Sequence, residues 1–62
     1  MSQRQTTILL TDDDDDDRYL LCQAIERIIG DSAILEAKNG EDALDLLGKH
    51  LIQLVIIDMN IP

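Results

Sequence analysis

The sequence predicts an α/β chain built in the order strand, helix, strand, helix, strand. Three observations carry this. Apolar runs of strand length at residues 6–11, 32–37 and 53–58 alternate with two stretches in which apolar residues recur every three or four positions. The strands are not alternating but nearly continuously apolar, the pattern of a sheet covered on both faces. Connections long enough to hold a helix imply parallel pairing with right-handed crossovers.

The first strand is "TTILLT", Thr6 to Thr11, β-branched at its ends and aliphatic at Ile8, Leu9 and Leu10. Six aspartates, Asp12 to Asp17, follow it directly. A helix is expected from about Asp16 to Ile29, with Leu20, Leu21, Ala24, Ile25, Ile28 and Ile29 as its inner stripe, Asp16 or Asp17 as its cap and Gly30 as its stop. "SAILEA", Ser32 to Ala37, reads as the second strand. Asn39 caps a second helix that opens with Glu41 and Asp42, buries Ala43, Leu44, Leu47 and Leu51, and ends around Gly48-Lys49-His50. "QLVIID", Gln53 to Asp58, is the third strand and ends in a carboxylate.

Composition narrows the function. The 62 residues carry 13 acids against five Lys and Arg, a net charge of -8, so no basic face exists for nucleic acid or an anionic membrane. Six of those acids form the single run, which makes the acidity local. Tyr19 is the only aromatic residue, so the core is aliphatic. Cys22, the only cysteine, cannot form an internal disulfide and reads as a buried, inert thiol in a reducing cytoplasm. No segment has the length of a signal-peptide core or a membrane span.

In a doubly wound sheet of the flavodoxin-like order 2-1-3, the first and third strands are neighbours and ligands bind beyond their carboxyl ends. That order brings Asp12 and Asp13 beside Asp58 across a strand spacing of about 4.8 Å, close enough to share one cation. Without a cation the three carboxylates repel. A hard divalent ion such as Mg²⁺ removes that repulsion. A calcium EF-hand does not fit the run: a loop starting at Asp12 needs Gly at Asp17 and Glu at Gln23, and one starting at Asp13 meets Arg18 and Ala24 there. A P-loop nucleotidase does not fit either, since no Gly-rich loop ending in Lys-Ser or Lys-Thr is present. Asp14 to Asp17 read as a solvated helix start.

These residues resemble the N-terminal half of a response-regulator receiver domain of two-component phosphorelays. The likeness rests on "ILLTDDDDDDR", "EAKNGEDALDLL" and "LVIIDMNIP", and runs from Thr7 to Pro62. It implies that Asp58 accepts a phosphoryl group from the phosphohistidine of a sensor histidine kinase or phosphotransfer protein. It further implies Mg²⁺ held by Asp13 directly, by Asp12 through water, by Asp58, and by the backbone carbonyl of Asn60. Such activity is self-phosphorylation rather than conventional turnover.

The family's complete domain has two further strands and three further helices, with a Ser or Thr and a Lys at later strand ends. Residues 1–62 therefore read as a partial domain with impaired switching, and Lys38 and Lys49 are poor substitutes for that Lys. Asp15 stands where many relatives have Pro, and Thr11 where an aliphatic residue is commoner. An uncovered third strand predicts a homo-oligomer, formed through that strand or by segment exchange. The alternative to a phosphoacceptor is a non-catalytic, self-associating α/β fragment.

Overall fold

The computed structural model describes residues 5–58; Asn60 and Pro62 lie outside them. Three strands, β1 (Thr6–Thr11), β2 (Ser32–Ala37) and β3 (Leu54–Ile57), form one parallel sheet in the order β2-β1-β3. Two helices, α1 (Asp15–Ile29) and α2 (Gly40–Lys49), supply the crossovers. The expected α/β architecture and strand order are therefore those of the protein. Along the central strand, Thr6 to Thr11 pair with Ser32 to Ala37 in register, and Ile8 to Thr11 pair with Leu54 to Ile57.

Burial concentrates on β1 because only that strand has a neighbour on each side among the described residues. Ile8, Leu9 and Leu10 are fully buried. Their alternating side chains divide the core into two layers. Ile8 and Leu10 pack with Ile25, Leu21 and Cys22 of α1 and with Ile34 and Ile56, whereas Leu9 packs with Ala37, Ala43, Leu35, Leu46 and Ile52 on the α2 side.

Each helix buries a narrower stripe than its sequence offers. At about 100° per residue, the six apolar positions of α1 spread over roughly 180° of its circumference. One sheet face takes the part centred on Arg18, Leu21, Cys22 and Ile25, leaving Leu20, Ala24 and Ile28 on the outer surface, Ile28 with 83% of its surface exposed. In α2 the inner residues are Ala43 and Leu46, not Leu44, which is exposed. Leu51 lies beyond the helix end and is exposed as well, and Ile52 takes the packing role.

The helix ends follow their capping chemistry. Asp14, rather than Asp16 or Asp17, caps α1: its Oδ1 accepts from the backbone N–H of Asp16 at 2.9 Å and of Asp17 at 3.2 Å. Gly30 closes the helix at φ 83°, a left-handed conformation that favours glycine, while its N–H donates to the Glu26 carbonyl. Asn39 caps α2 as its sequence position predicts, accepting from the Asp42 N–H at 2.8 Å. β3 is two residues shorter than expected. Gln53 nevertheless extends the pairing: its N–H donates to the Thr7 carbonyl, and its Oε1 accepts from the Thr7 N–H at 2.7 Å. Among the described residues, no helix is long and apolar enough to cross a membrane.

Candidate functional site

The carboxyl ends of β1 and β3 meet at one place, and the chain puts acids there. Backbone bonds hold both strand exits: the Asp12 N–H donates to the Ala37 carbonyl at 3.1 Å, and the Asp58 N–H donates to the Thr11 carbonyl at 2.9 Å. Parallel pairing thus continues one residue beyond each strand. It fixes the backbones that carry Asp12 and Asp58 side by side.

Three carboxylates converge at this point: Asp12, Asp17 and Asp58 each bring one oxygen within 4.8 Å of the others. Asp12 is buried at 2% exposure, Asp17 is half-buried and Asp58 is exposed, so the group opens to solvent from a closed floor. The sequence places Asp13 in this group. The structure leaves Asp13 exposed and outside the group, and brings Asp17 in. Consecutive residues leaving a strand point in different directions, so Asp12 and Asp13 cannot both face the same point without a special turn. Asp17 lies in the first turn of α1, where side chains lean back toward the helix N-terminus and hence toward the strand ends.

Asp12 is the floor of the site. Its Oδ1 accepts from the Asp14 N–H at 2.9 Å, a local turn that starts the connection to α1. Its Oδ2 is buried and, among the described residues, has no hydrogen-bond partner. An unpaired buried acceptor costs about 1–3 kcal/mol, more when charged. The hydroxyl of Thr11 is also buried and, among the described residues, unpaired, but it is neutral and carries a smaller penalty.

Arg18 is the residue the sequence reading did not single out. Its guanidinium is buried and forks three ways: Nε donates to Glu36 Oε1 at 3.0 Å, Nη1 to the Asp12 carbonyl at 2.9 Å, and Nη2 to Asp15 Oδ1. It thereby ties the loop after β1 to α1 and to β2, and holds the Asp12 backbone in place. The readable signal was the spacing of Asp15 and Arg18, three residues apart on one helix turn. None of these three bonds goes to the carboxylates of Asp12, Asp17 or Asp58.

The electrostatics follow from these placements. Asp15 is held below the ordinary aspartate range by its hydrogen bond from Arg18, with the charges of Arg18 and Lys38 adding to it. Asp17 is pushed above that range, first by the charge of Asp14, then by burial and by Asp12, Asp58 and Asp16. Burial also pushes the Cys22 thiol up, which agrees with an inert side chain.

The acidic run therefore separates into parts: Asp12 and Asp17 belong to the converging group, Asp14 caps the helix and Asp15 holds Arg18. Asp13 and Asp16 are solvated. A cluster of one buried and two more open carboxylates, with no ion pair to a cationic side chain among the described residues, fits a hard divalent ion bound through oxygen. Compared with known protein families, curated proteins and solved structures, the chain matches none.

Proposed function

We propose that the protein is a phosphoacceptor module of the receiver type, in which Asp58 takes a phosphoryl group from a phosphohistidine on a sensor histidine kinase or phosphotransfer protein. The observation that carries this reading is that Asp12, buried and with its Oδ2 unpartnered among the described residues, belongs to a carboxylate group that includes the exposed Asp58. A reacting carboxylate must be reachable by a protein-sized donor, and Asp58 is. The reading places the chain in the cytoplasm, where such donors work.

In this reading Asp58 is the nucleophile. A carboxylate oxygen bonds to phosphorus as the phosphorus–nitrogen bond to imidazole breaks, and the departing imidazole keeps the electron pair and takes a proton from water. Asp58 is aligned for this by its N–H bond to the Thr11 carbonyl, which fixes the backbone at the strand exit. Asp12, with Asp58, would hold Mg²⁺, which supplies positive charge against the phosphoryl oxygens. Asp12 is kept in place from both sides, by the Asp14 N–H on its carboxylate and by Arg18 on its carbonyl. Asn60 lies outside the described residues, and its proposed carbonyl contact rests on the family resemblance alone.

The test is incubation with a small acyl- or amino-phosphate donor and Mg²⁺. A phosphoryl mass increment is expected in the parent protein and absent in Asp58→Asn. An increment that survives in that variant, or none in the parent, rejects the assignment.

A second reading, a non-catalytic self-associating fragment, is favoured by one observation. β3 pairs only with β1 among the described residues, and its Leu54, Val55 and Ile57 are exposed. Both readings share the expectation of an oligomer, through β3 or by exchange of segments. Sedimentation at micromolar concentration should give a dimer or larger species, and a folded monomer would remove that expectation.

A further inference from the structure

The connection between β2 and α2 holds a reactive pair that the phosphoacceptor reading does not use. Asn39 and Gly40 are both exposed. A carboxamide followed by glycine can modify itself, because the next nitrogen along the chain is within reach of Asn39 Cγ and no Cβ on Gly40 crowds its approach. Open space stands where such a Cβ would lie. As the first residue of α2, Gly40 has no carbonyl within the helix to receive its N–H, so its nitrogen is not committed to the helix ladder. The chain has one other asparagine, Asn60, and the branched Ile61 that follows it shields the nitrogen there.

The fold restrains this pair. Asn39 Oδ1 accepts from the Asp42 N–H at 2.8 Å, and the Asn39 carbonyl accepts from the Ala43 N–H at 3.1 Å. Side chain and main chain are thus both tied to the first turn of α2. At ψ 177° the Gly40 nitrogen is held away from the position, eclipsed with Asn39 Cβ, from which a five-membered ring closes. Attack therefore requires that turn to open, and helix ends open at far lower free energy than the whole fold.

We propose that Asn39 is a site of self-modification gated by the α2 cap, losing ammonia through attack of the Gly40 nitrogen when that first turn opens. The Gly40 nitrogen gives its proton to water or hydroxide and bonds to Asn39 Cγ. The bond from Cγ to Nδ2 breaks, and Nδ2 keeps the electron pair, takes a proton from water and leaves as ammonia. Water then opens the ring, at Cγ to give aspartate or at the Asn39 main-chain carbonyl to give isoaspartate. The two products act oppositely on α2. Aspartate retains an oxygen for the Asp42 N–H and adds a charge that suits a helix start, whereas isoaspartate adds a methylene to the main chain and takes the cap away. Neither phosphoryl transfer nor a bound ion enters this chemistry.

The test incubates the whole chain slightly above neutral pH, in native buffer and in denaturing urea, and follows replacement of NH₂ by OH at each asparagine by peptide mass spectrometry that separates isoaspartate from aspartate. Conversion is expected at Asn39 ahead of Asn60, with both products, and slower in native buffer by roughly tenfold to a hundredfold, as for opening of a helix end. Urea below the global transition should raise the native rate. Gly40→Ala, whose methyl fits the open space, should slow conversion several-fold, and its rate in denaturing urea reads the same effect without reliance on folding. Equal native and denatured rates overturn the gate. Asn39 left intact in the native chain far beyond the stated range overturns the site. Aspartate without isoaspartate, or equal rates in Gly40→Ala and the parent, overturns attack by the Gly40 nitrogen.

Discussion

Replacing Asp12 by Asn should stabilise the protein when no divalent ion is present and cost it stability when one is. The substitution keeps Oδ1, so the 2.9 Å bond from the Asp14 N–H persists, and the Arg18 bond to the Asp12 carbonyl is untouched. What changes is Oδ2, unpartnered among the described residues, which becomes an NH₂ on a side chain grouped with the carboxylates of Asp17 and Asp58. An orphan acceptor is exchanged for a donor with two acceptors nearby. Relief of an unsatisfied buried acceptor is worth about 1–3 kcal/mol. For a chain of this length each kcal/mol moves the melting midpoint by about 4–8 °C.

Addition of a divalent ion reverses the comparison. The parent gains RT ln(1 + [L]/Kd), about 2.7 kcal/mol at one hundred times Kd, and the amide variant gains little because it has lost the buried ligand. Thermal or urea unfolding of both proteins, in chelator and in a Mg²⁺ or Mn²⁺ series, measures the crossover. A variant less stable than the parent in chelator would show that Oδ2 is not an uncompensated group. Equal stabilisation of both proteins by the ion would remove Asp12 from the site.

Leu9→Ala should cost about 2–5 kcal/mol. That is a large share of the stability of a chain this short, about 3–9 kcal/mol from typical per-residue values. Leu44→Ala, at a position 71% exposed, should change the unfolding free energy measured in urea by no more than about 0.5 kcal/mol; comparable losses in the two variants would mean that α2 packs by the other face. Thr11→Val should stabilise the protein by about 1 kcal/mol, because it removes a buried hydroxyl that has no partner, and a loss in urea unfolding would point to an unseen hydrogen bond. Arg18 lowers the Asp15 carboxyl below its usual value near 3.8, so this group's contribution is complete above that value and fades as pH falls through the lower folded value. The stability gap between parent and Asp15→Asn should accordingly narrow between neutral pH and pH about 3, and a gap independent of pH would show that the ion pair contributes nothing.

The strands were the most legible part of the fold. β1 and β2 have the bounds read from "TTILLT" and "SAILEA", because turn and charge residues flank each apolar run sharply. Helix faces were less legible. An apolar stripe wider than one contact face leaves undecided which part meets the sheet, and the outcome depended on Arg18 lying on the inner side of α1. The site was half legible for a related reason. Asp12 and Asp58 follow from strand order, which the pattern of elements carries. Asp17 depends on how far α1 leans back over the strand ends, which in turn depends on the cap at Asp14 and the clamp of Arg18. Neither can be read from six identical letters.

That identity of letters hides a division of labour which single substitutions should expose. Four aspartates of the run divide among three kinds of partner: Asp14 meets two backbone N–H groups, Asp15 meets the guanidinium of Arg18, and Asp12 and Asp17 meet Asp58. The helix start supplies positive charge to the first of these through its N–H groups, and Arg18 supplies it to the second. Among the described residues no cationic side chain forms an ion pair with the third group. A chain that neutralises some of its acids locally, while directing two others at an exposed carboxylate on the neighbouring strand, has concentrated its uncompensated negative charge at one point. The folding cost of that point is set by Asp12, the one member that water does not reach. The Asp12→Asn crossover therefore measures how much stability that uncompensated charge costs the protein, and whether a divalent ion restores it.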